Sequence, residues 1–382
     1  CAWRSCWPSD RQTMNPAPRV LLLCDRLDVA GGVERFVCNL ANHFASVGLD
    51  VAVGSVNTAR ADIHYPLHER VRVVHGAQAL HEGDGAWGLL RKQWRTGRAL
   101  AGLIRQERAD AVILNGLTTG CSTLLMLPAA AARHCICCDH NHFTARSKLW
   151  RWLRARLYPK VAAVVSLSQA DAPRFAAINP RTEVIVNASS LHAETHAAVA
   201  EPVVLAVGRH VAQKGFDLLL QAWAAVQAQM PQARLRVLGD GPLRAELQQQ
   251  AQALGIAASV QWLPPTQQVK EQYAQAAVFV LPSRYEGMPL ALLEAQALGV
   301  PAVAFDCPTG PAEIINADTG IAVPLADTQA LASALLRLLA DAPLRARMGA
   351  AAIARSRAAF SAQQHFQRWT ALVQRVAAEA GR

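Results

Sequence analysis

Two consecutive α/β units, each a parallel sheet wound with helices, are the fold class this sequence predicts, on three observations. Short apolar runs alternate with helical patterns along most of the chain, the alternation restarts near residue 202 after a stretch that lacks it, and 382 residues exceed one ordinary core. A composition 52% hydrophobic and 17% charged is that of a folded globular chain.

The front unit opens with the apolar run RVLLLC (19–24), the loop DRLDVAGGVER, the helical pattern FVCNLANHFASVG and the strand DVAVGSV. Strand, glycine loop, helix, strand is the signature of a parallel crossover. ADAVILNG, HCICCDH, VAAVVSLS and TEVIVN continue the series, so five or more strands are expected. Residues 188–201 lose the pattern and read as a linker. The rear unit then runs through the strands PVVLAVG, ARLRVLG, SVQWLP, AVFVLPS, GVPAVAFD and TGIAVP with helical patterns between them. Two Rossmann-like halves follow, with a ligand expected in a cleft between facing strand ends. The expected domains are 14–193 and 200–359, and the amphipathic segment near 360–380 is expected to pack back on the first. Residues 1–13 carry no pattern, and Met14 reads as the natural start.

Several classes of function lose support. Nine cysteines in no regular spacing suggest reduced thiols in a cytosolic protein rather than a disulfide scaffold. HCICCDHNHF has neither metal-ligand spacing nor one face for its thiols, so no metal site is expected. The charge-free run 111–132 is broken by Asn, Thr, Gly, Ser and Pro and reads as strand, loop and buried helix, not a bilayer crossing. Net charge is +10. Residues 1–196 hold 23 Lys and Arg against 15 acids, so the front half is the cationic one. RSKLWRWLRARLYPK (146–160) concentrates it, and Lys148, Trp150, Arg151, Trp152, Arg154 and Arg156 are the expected membrane or acceptor surface, since interleaved cations and aromatic rings suit an anionic interface. No recognised nucleic-acid motif accompanies the patch.

Three motifs fall on strand-to-helix turns of the rear unit. GRHVAQKGFD follows a strand, which puts Arg209 and Lys214 at the cleft edge, where a bidentate fork and a compact charge suit a diphosphate. GDGP (239–242) lacks the third glycine of a dinucleotide fingerprint. SRYEGMPLALLEAQALG (283–299) starts a helix at Pro289, so Gly287, Met288, Pro289 and the amides of Leu290, Ala291 and Leu292 face the cleft as an anion site. Glu294 lies inside that helix, where its neighbours one turn away are Leu290, Ala291, Ala297 and Leu298. No cation on its own helix can pair with it, so donors must come from elsewhere, such as the vicinal hydroxyls of a ribose. Glu286 precedes the helix, nearer the diphosphate.

Taken together, these motifs resemble the donor domain of the family 4 glycosyltransferases, retaining enzymes of the two-domain GT-B fold. The similarity runs from about Arg19 to Trp369, with AGGVERFVCNLA like that family's glycine loop, VVSLSQ and VIVN like its interdomain approach and FSAQQHFQRW like its closing helix. The resemblance implies that Arg209 and Lys214 bind the donor diphosphate, that Gly31 and Gly32 form part of the donor site, that Glu294 binds ribose and that Glu286 sits beside the transferred sugar. A cleft histidine matches His140, with His142 one alternation away on the same face. WLPP departs from the usual strand end near the base, with Pro264 in place of a flexible residue. YEGMPLALLEAQALGVPAVAFDCPTGPAEII is most similar to members using UDP-hexoses or UDP-N-acetylhexosamines to extend lipid-linked or lipopolysaccharide sugars.

The implied reaction needs no cofactor besides the UDP-sugar donor. Asp-x-Asp, the pattern that holds a divalent ion on a diphosphate, does not occur in the sequence, so fixed cations are expected in its place. Expected partners are a nucleotide-sugar, a glycan or lipid-linked acceptor and an anionic membrane surface, with no nucleic acid. The expected location is cytoplasmic, peripheral on the inner membrane. Alternatives are a GT-B sugar-nucleotide epimerase, a non-catalytic peripheral membrane module and a dehydrogenase, the last disfavoured by the missing fingerprint.

Overall fold

A computed structural model describes residues 17–56, 62–75, 86–194, 199 and 201–380, so the extension expected over 1–13 lies outside the described residues. The front sheet has seven parallel strands, β1 (Arg19–Leu23), β2 (Asp50–Ser55), β3 (Arg72–His75), β4 (Ala111–Asn115), β5 (Cys135–Cys138), β6 (Ala163–Ser166) and β7 (Thr182–Val184), in the order β3-β2-β1-β4-β5-β6-β7. The rear sheet has six, β8 (Val203–Val207), β9 (Arg234–Leu238), β10 (Val260–Leu263), β11 (Val278–Leu281), β12 (Ala302–Asp306) and β13 (Gly320–Pro324), in the order β10-β9-β8-β11-β12-β13. In both sheets the winding direction reverses, between β1 and β4 and between β8 and β11. Such reversals splay the adjacent loops apart and open a crevice at the strand C-termini.

The strands are apolar runs because both faces are covered. Val20 and Leu22 of β1 face Phe36, Val37, Leu40 and Phe44 of the helix Gly32–Ser46, while Leu21 and Leu23 face Leu100, Leu103 and Ile104 of the helix Ala86–Glu107. Cys135 and Cys137 likewise turn to one side of the front sheet and Cys138 to the other. Burial pushes the thiols of Cys137 and Cys138 well above their ordinary value, so they stay protonated packing groups.

The helix Ala342–Ala359 belongs to the rear unit, where Gly349 packs against the Gly299 carbonyl. After Phe360 the chain returns to the front unit as the helix Ala362–Ala380. Trp369 is fully buried with its ring 5.7 Å from Phe36, His43 Nε2 lies 3.2 Å from Thr370 Oγ1, and Arg375 donates to Glu183 at 2.5 Å. The two units also meet across the cleft, where Glu313 accepts the amides of Gln169 and Ala170, both at 2.9 Å.

Candidate active site

The rear half of the site begins where β8 ends. Its loop carries Arg209 and Lys214 and is braced by the GDGP turn, since His210 N–H donates to the Asp240 carbonyl at 2.8 Å and Leu243 N–H to the His210 carbonyl at 3.1 Å. A Cβ on Gly239 would lie 2.0 Å from the Gly208 carbonyl oxygen, and one on Gly241 2.6 Å from that of His210. Close backbone approach is therefore what these glycines provide.

After β11, Glu286 is 5% exposed and its Oε1 accepts from Ser283 Oγ at 2.6 Å and from Lys214 Nζ at 2.7 Å. Pro289 caps the helix Leu290–Ala297 from an extended backbone. Leu292 N–H turns back to the Pro289 carbonyl at 3.1 Å, which removes it from the three amides expected to face the cleft. Gly287 also departs from expectation. Its Cβ, had it one, would lie 2.4 Å from the His140 carbonyl oxygen, so it is a contact between the units rather than part of the cleft wall.

Glu294 is 3% exposed, and its partners are ones the sequence did not reveal. Arg35 Nη1, from the helix Gly32–Ser46 of the front unit, lies 2.5 Å from Oε1, and Tyr273 OH lies 3.1 Å from Oε2. Burial raises the carboxyl pKa, while the Arg35 charge and the Tyr273 bond pull it back down. The absence of a cation on its own helix is real, and the missing charge arrives from the other domain.

On the front side, His140 follows β5. Its Nε2 lies 3.0 Å from Asn115 Oδ1, and Asn115 Nδ2 donates to the Leu23 carbonyl at 3.1 Å, which commits Oδ1 to acceptance and His140 Nε2 to donation. Burial pushes the ring down to about 4, so it is neutral at physiological pH. His142 instead stands edge-on to Tyr285 at 5.3 Å with Thr144 Oγ1 3.1 Å from its Nδ1. Only His140 of the two lines the main cleft.

That cleft, about 350 Å³, gathers Gly31, Gly32, Arg35, His140, Arg209, Lys214, Glu286, Met288, Pro289, Leu290 and Glu294 from both units. A chamber of about 290 Å³ continues from it past Tyr65 and Gly208 to Gly239, Pro265 and Gln267, and a cavity of about 150 Å³ opens on the front side toward Asp25, Thr118 and His142. Glu34, His140 and Arg146 border both the cleft and the front cavity. Burial raises the Glu34 carboxyl, with Arg209 opposing the rise. A further cavity of about 370 Å³ beside the helix Ala342–Ala359 is walled by Ala346, Ala350 and Ile353. Its Arg345 and Arg357 are spent on the carbonyls of Val199 and Ala193, so it offers little chemistry.

The expected membrane or acceptor surface needs one correction. Arg154 is 1% exposed, donating to Asp139 Oδ2 at 3.1 Å and to the Phe143 carbonyl at 2.7 Å with its guanidinium 3.6 Å from the Phe143 ring centre. Trp150 is half-buried against the same core. The positions 150, 153, 154 and 157 share one face of the helix Lys148–Leu157, a spacing legible in the sequence that the run of cations obscured. Lys148, Trp152 and Arg156 are exposed, and Arg151 is half-buried. Among the described residues, no helix is long and apolar enough to cross a membrane.

Comparison with known proteins agrees with this architecture. Residues 30–190 match the family model described as Glycosyltransferase Family 4, and residues 189–355 the one described as Glycosyl transferases group 1. The amylovoran biosynthesis glycosyltransferase AmsD of Erwinia amylovora is 30% identical over 345 residues, which cover 87% of this chain and 93% of that protein. A GDP-mannose-dependent alpha-(1-6)-phosphatidylinositol monomannoside mannosyltransferase of Mycolicibacterium smegmatis is 35% identical over 159 residues, 39% of this chain and 42% of that protein. Sucrose-phosphate synthase from Thermosynechococcus elongatus shares the fold, with a TM-score of 0.79 at 21% identity over 95% of this chain and 100% of that one. With both family models in tandem, two parallel sheets facing one cleft and a relative matched over nearly its whole length, the chain belongs to the family 4 glycosyltransferases of the GT-B fold.

Proposed function

We propose that this chain moves a hexose or N-acetylhexosamine from a UDP-sugar to a hydroxyl of a glycan or lipid-linked acceptor, with retention at the anomeric carbon, as a step in bacterial surface polysaccharide assembly. One observation carries the reading: Arg209, Lys214, the start of the helix Leu290–Ala297, Glu286 and Glu294 line a single cleft at the rear switch point. The diphosphate lies at Arg209, Lys214 and the helix start, which stabilise the charge that grows on it as the glycosidic bond breaks. Fixed cations do this work without a metal ion. Glu294 takes the ribose, and the base extends into the chamber beside Pro265. Glu286, aimed by Ser283 and Lys214, meets hydroxyls of the transferred sugar.

The acceptor enters from the front cavity, where Glu34, His140 and Arg146 border both spaces. A front-face displacement, in which the leaving phosphate takes the acceptor proton, needs no protein nucleophile. It also suits a neutral His140, which orients without holding the proton. Lys148, Trp152 and Arg156, with the exposed Leu149, hold the front unit to anionic lipid on the cytoplasmic face of the inner membrane.

Thermal stabilisation and donor hydrolysis with UDP-glucose, UDP-galactose, UDP-N-acetylglucosamine and GDP-mannose test the donor. Protection by GDP-mannose alone would replace UDP with GDP, in line with the mannosyltransferase relative, and protection by none would end the donor reading. The anomeric coupling constant of the product tests retention.

A further inference from the structure

We infer that Arg35 is a latch between the two units, occupying in this structure the place on Glu294 that a donor's ribose must take. The inference rests on the donor reading above. Glu294 Oε1 is bonded by Arg35 Nη1 at 2.5 Å, across the cleft from the front unit. Oε2 is within 3.1 Å of Tyr273 OH, but that hydroxyl also lies 2.9 Å from the Ala291 carbonyl, and one O–H cannot serve both acceptors fully. Arg35 is therefore the principal partner of a carboxylate whose side chain is only 4% exposed.

The position of Arg35 is as telling as its bond. Ala30, Arg35, Tyr65, Val207 and Gly208 border both the main cleft and the chamber that continues from it. A nucleotide-sugar with its diphosphate at Arg209 and its base beside Pro265 lays its ribose across that junction. To accept both ribose hydroxyls, Glu294 must give up the guanidinium. Two hydroxyls replace the donors that Arg35 withdraws, so the exchange keeps the buried carboxylate matched. Nucleotide arrival thereby releases a charged contact that ties the helix Gly32–Ser46 to the helix Leu290–Ala297. The units become freer to adjust around the sugar, and the strength of the latch subtracts from donor affinity.

The test separates this exchange from simple attraction between Arg35 and phosphate by using uridine, which has no charge (guanosine if the donor screen selects GDP). Binding of uridine and of 2′,3′-dideoxyuridine is measured by titration to wild type, Arg35→Gln and Glu294→Gln. Arg35→Gln should bind uridine at least about tenfold more tightly, because it strands a buried carboxylate whose lost donors only the ribose hydroxyls restore. Unchanged or weaker uridine binding by a folded Arg35→Gln protein overturns the latch. If wild type binds dideoxyuridine as well as uridine, the ribose assignment of Glu294 has failed instead, and the latch falls with it. Should Arg35→Gln not fold, a wild-type structure with UDP bound decides: ribose hydroxyls on Glu294 with Arg35 moved away support the exchange. Arg35 still on Oε1 refutes it.

Discussion

Replacing Arg154 with leucine separates a structural role from a surface role in one experiment. The side chain is 1% exposed, and its removal leaves the Asp139 carboxylate, 5% exposed, with Tyr158 OH at 2.6 Å as its remaining hydrogen-bond donor of those described. Burial already pushes that carboxyl up against the pull of Arg154. Breaking a buried pair from one side costs about 3–5 kcal/mol, because the surviving charge is stranded, and the lost contact with the Phe143 ring adds to it. The loop 139–143, which carries His140, loses its anchor as well. Urea unfolding of Arg154→Leu should therefore show a loss of about 3–5 kcal/mol in the front unit, while binding to phosphatidylglycerol vesicles stays near wild type once the protein is folded. The double variant Arg154→Leu with Asp139→Asn should recover a large part of that loss, since removing both charges leaves neither stranded. A single variant destabilised by less than about 1 kcal/mol that loses vesicle binding would refute the buried-anchor reasoning.

Three further outcomes follow from the cleft and its supports. Glu286→Gln should lower kcat about 100-fold or more with nucleotide affinity nearly unchanged, whereas Glu294→Ala should weaken UDP binding about tenfold or more, and both are read by steady-state kinetics with product inhibition. Gly287→Ala forces a Cβ to 2.4 Å from the His140 carbonyl, so the units must separate; about 1–3 kcal/mol of strain should appear as a lowered melting temperature and lower kcat. His140 and His365 are both pushed down to about 4 by burial, so the unfolded chain binds protons that the folded chain does not. Their stabilising contribution is complete above about pH 6.5 and lost as pH falls toward 4, about 2 kcal/mol each by pH 5. His365→Gln should flatten that acid limb in a denaturant titration.

Much of the fold was legible because parallel strands buried on both faces must be apolar runs, and RVLLLC, VVLAVG and AVFVLPS announce themselves as such. The cation loop was equally legible, since a strand-to-helix turn fixes where its residues point, whereas at the helix start Leu292 N–H turns back to the Pro289 carbonyl and Gly287 packs on His140. GDGP is legible as a turn, but its job as a brace for Arg209 depends on the backbone of Gly208 and His210, each 31 positions from its glycine. Arg154 belongs to the buried stripe 150, 153, 154, 157, a spacing present in the sequence but overlaid by six cations in one segment.

Residue order alone determined the two wound α/β units and the cations and acids delivered to the rear strand ends, since these are local consequences of periodicity and turn chemistry. The strand order, and with it the reversals between β1 and β4 and between β8 and β11, came from tertiary pairing. Tertiary structure alone decided which partner satisfies each buried charge. Glu294 sits where nothing on its own helix can neutralise it, and Arg35 reaches it only because folding brings together helices some 255 positions apart in the chain. Long-range Coulomb matching between groups that fold together has no signature in local sequence.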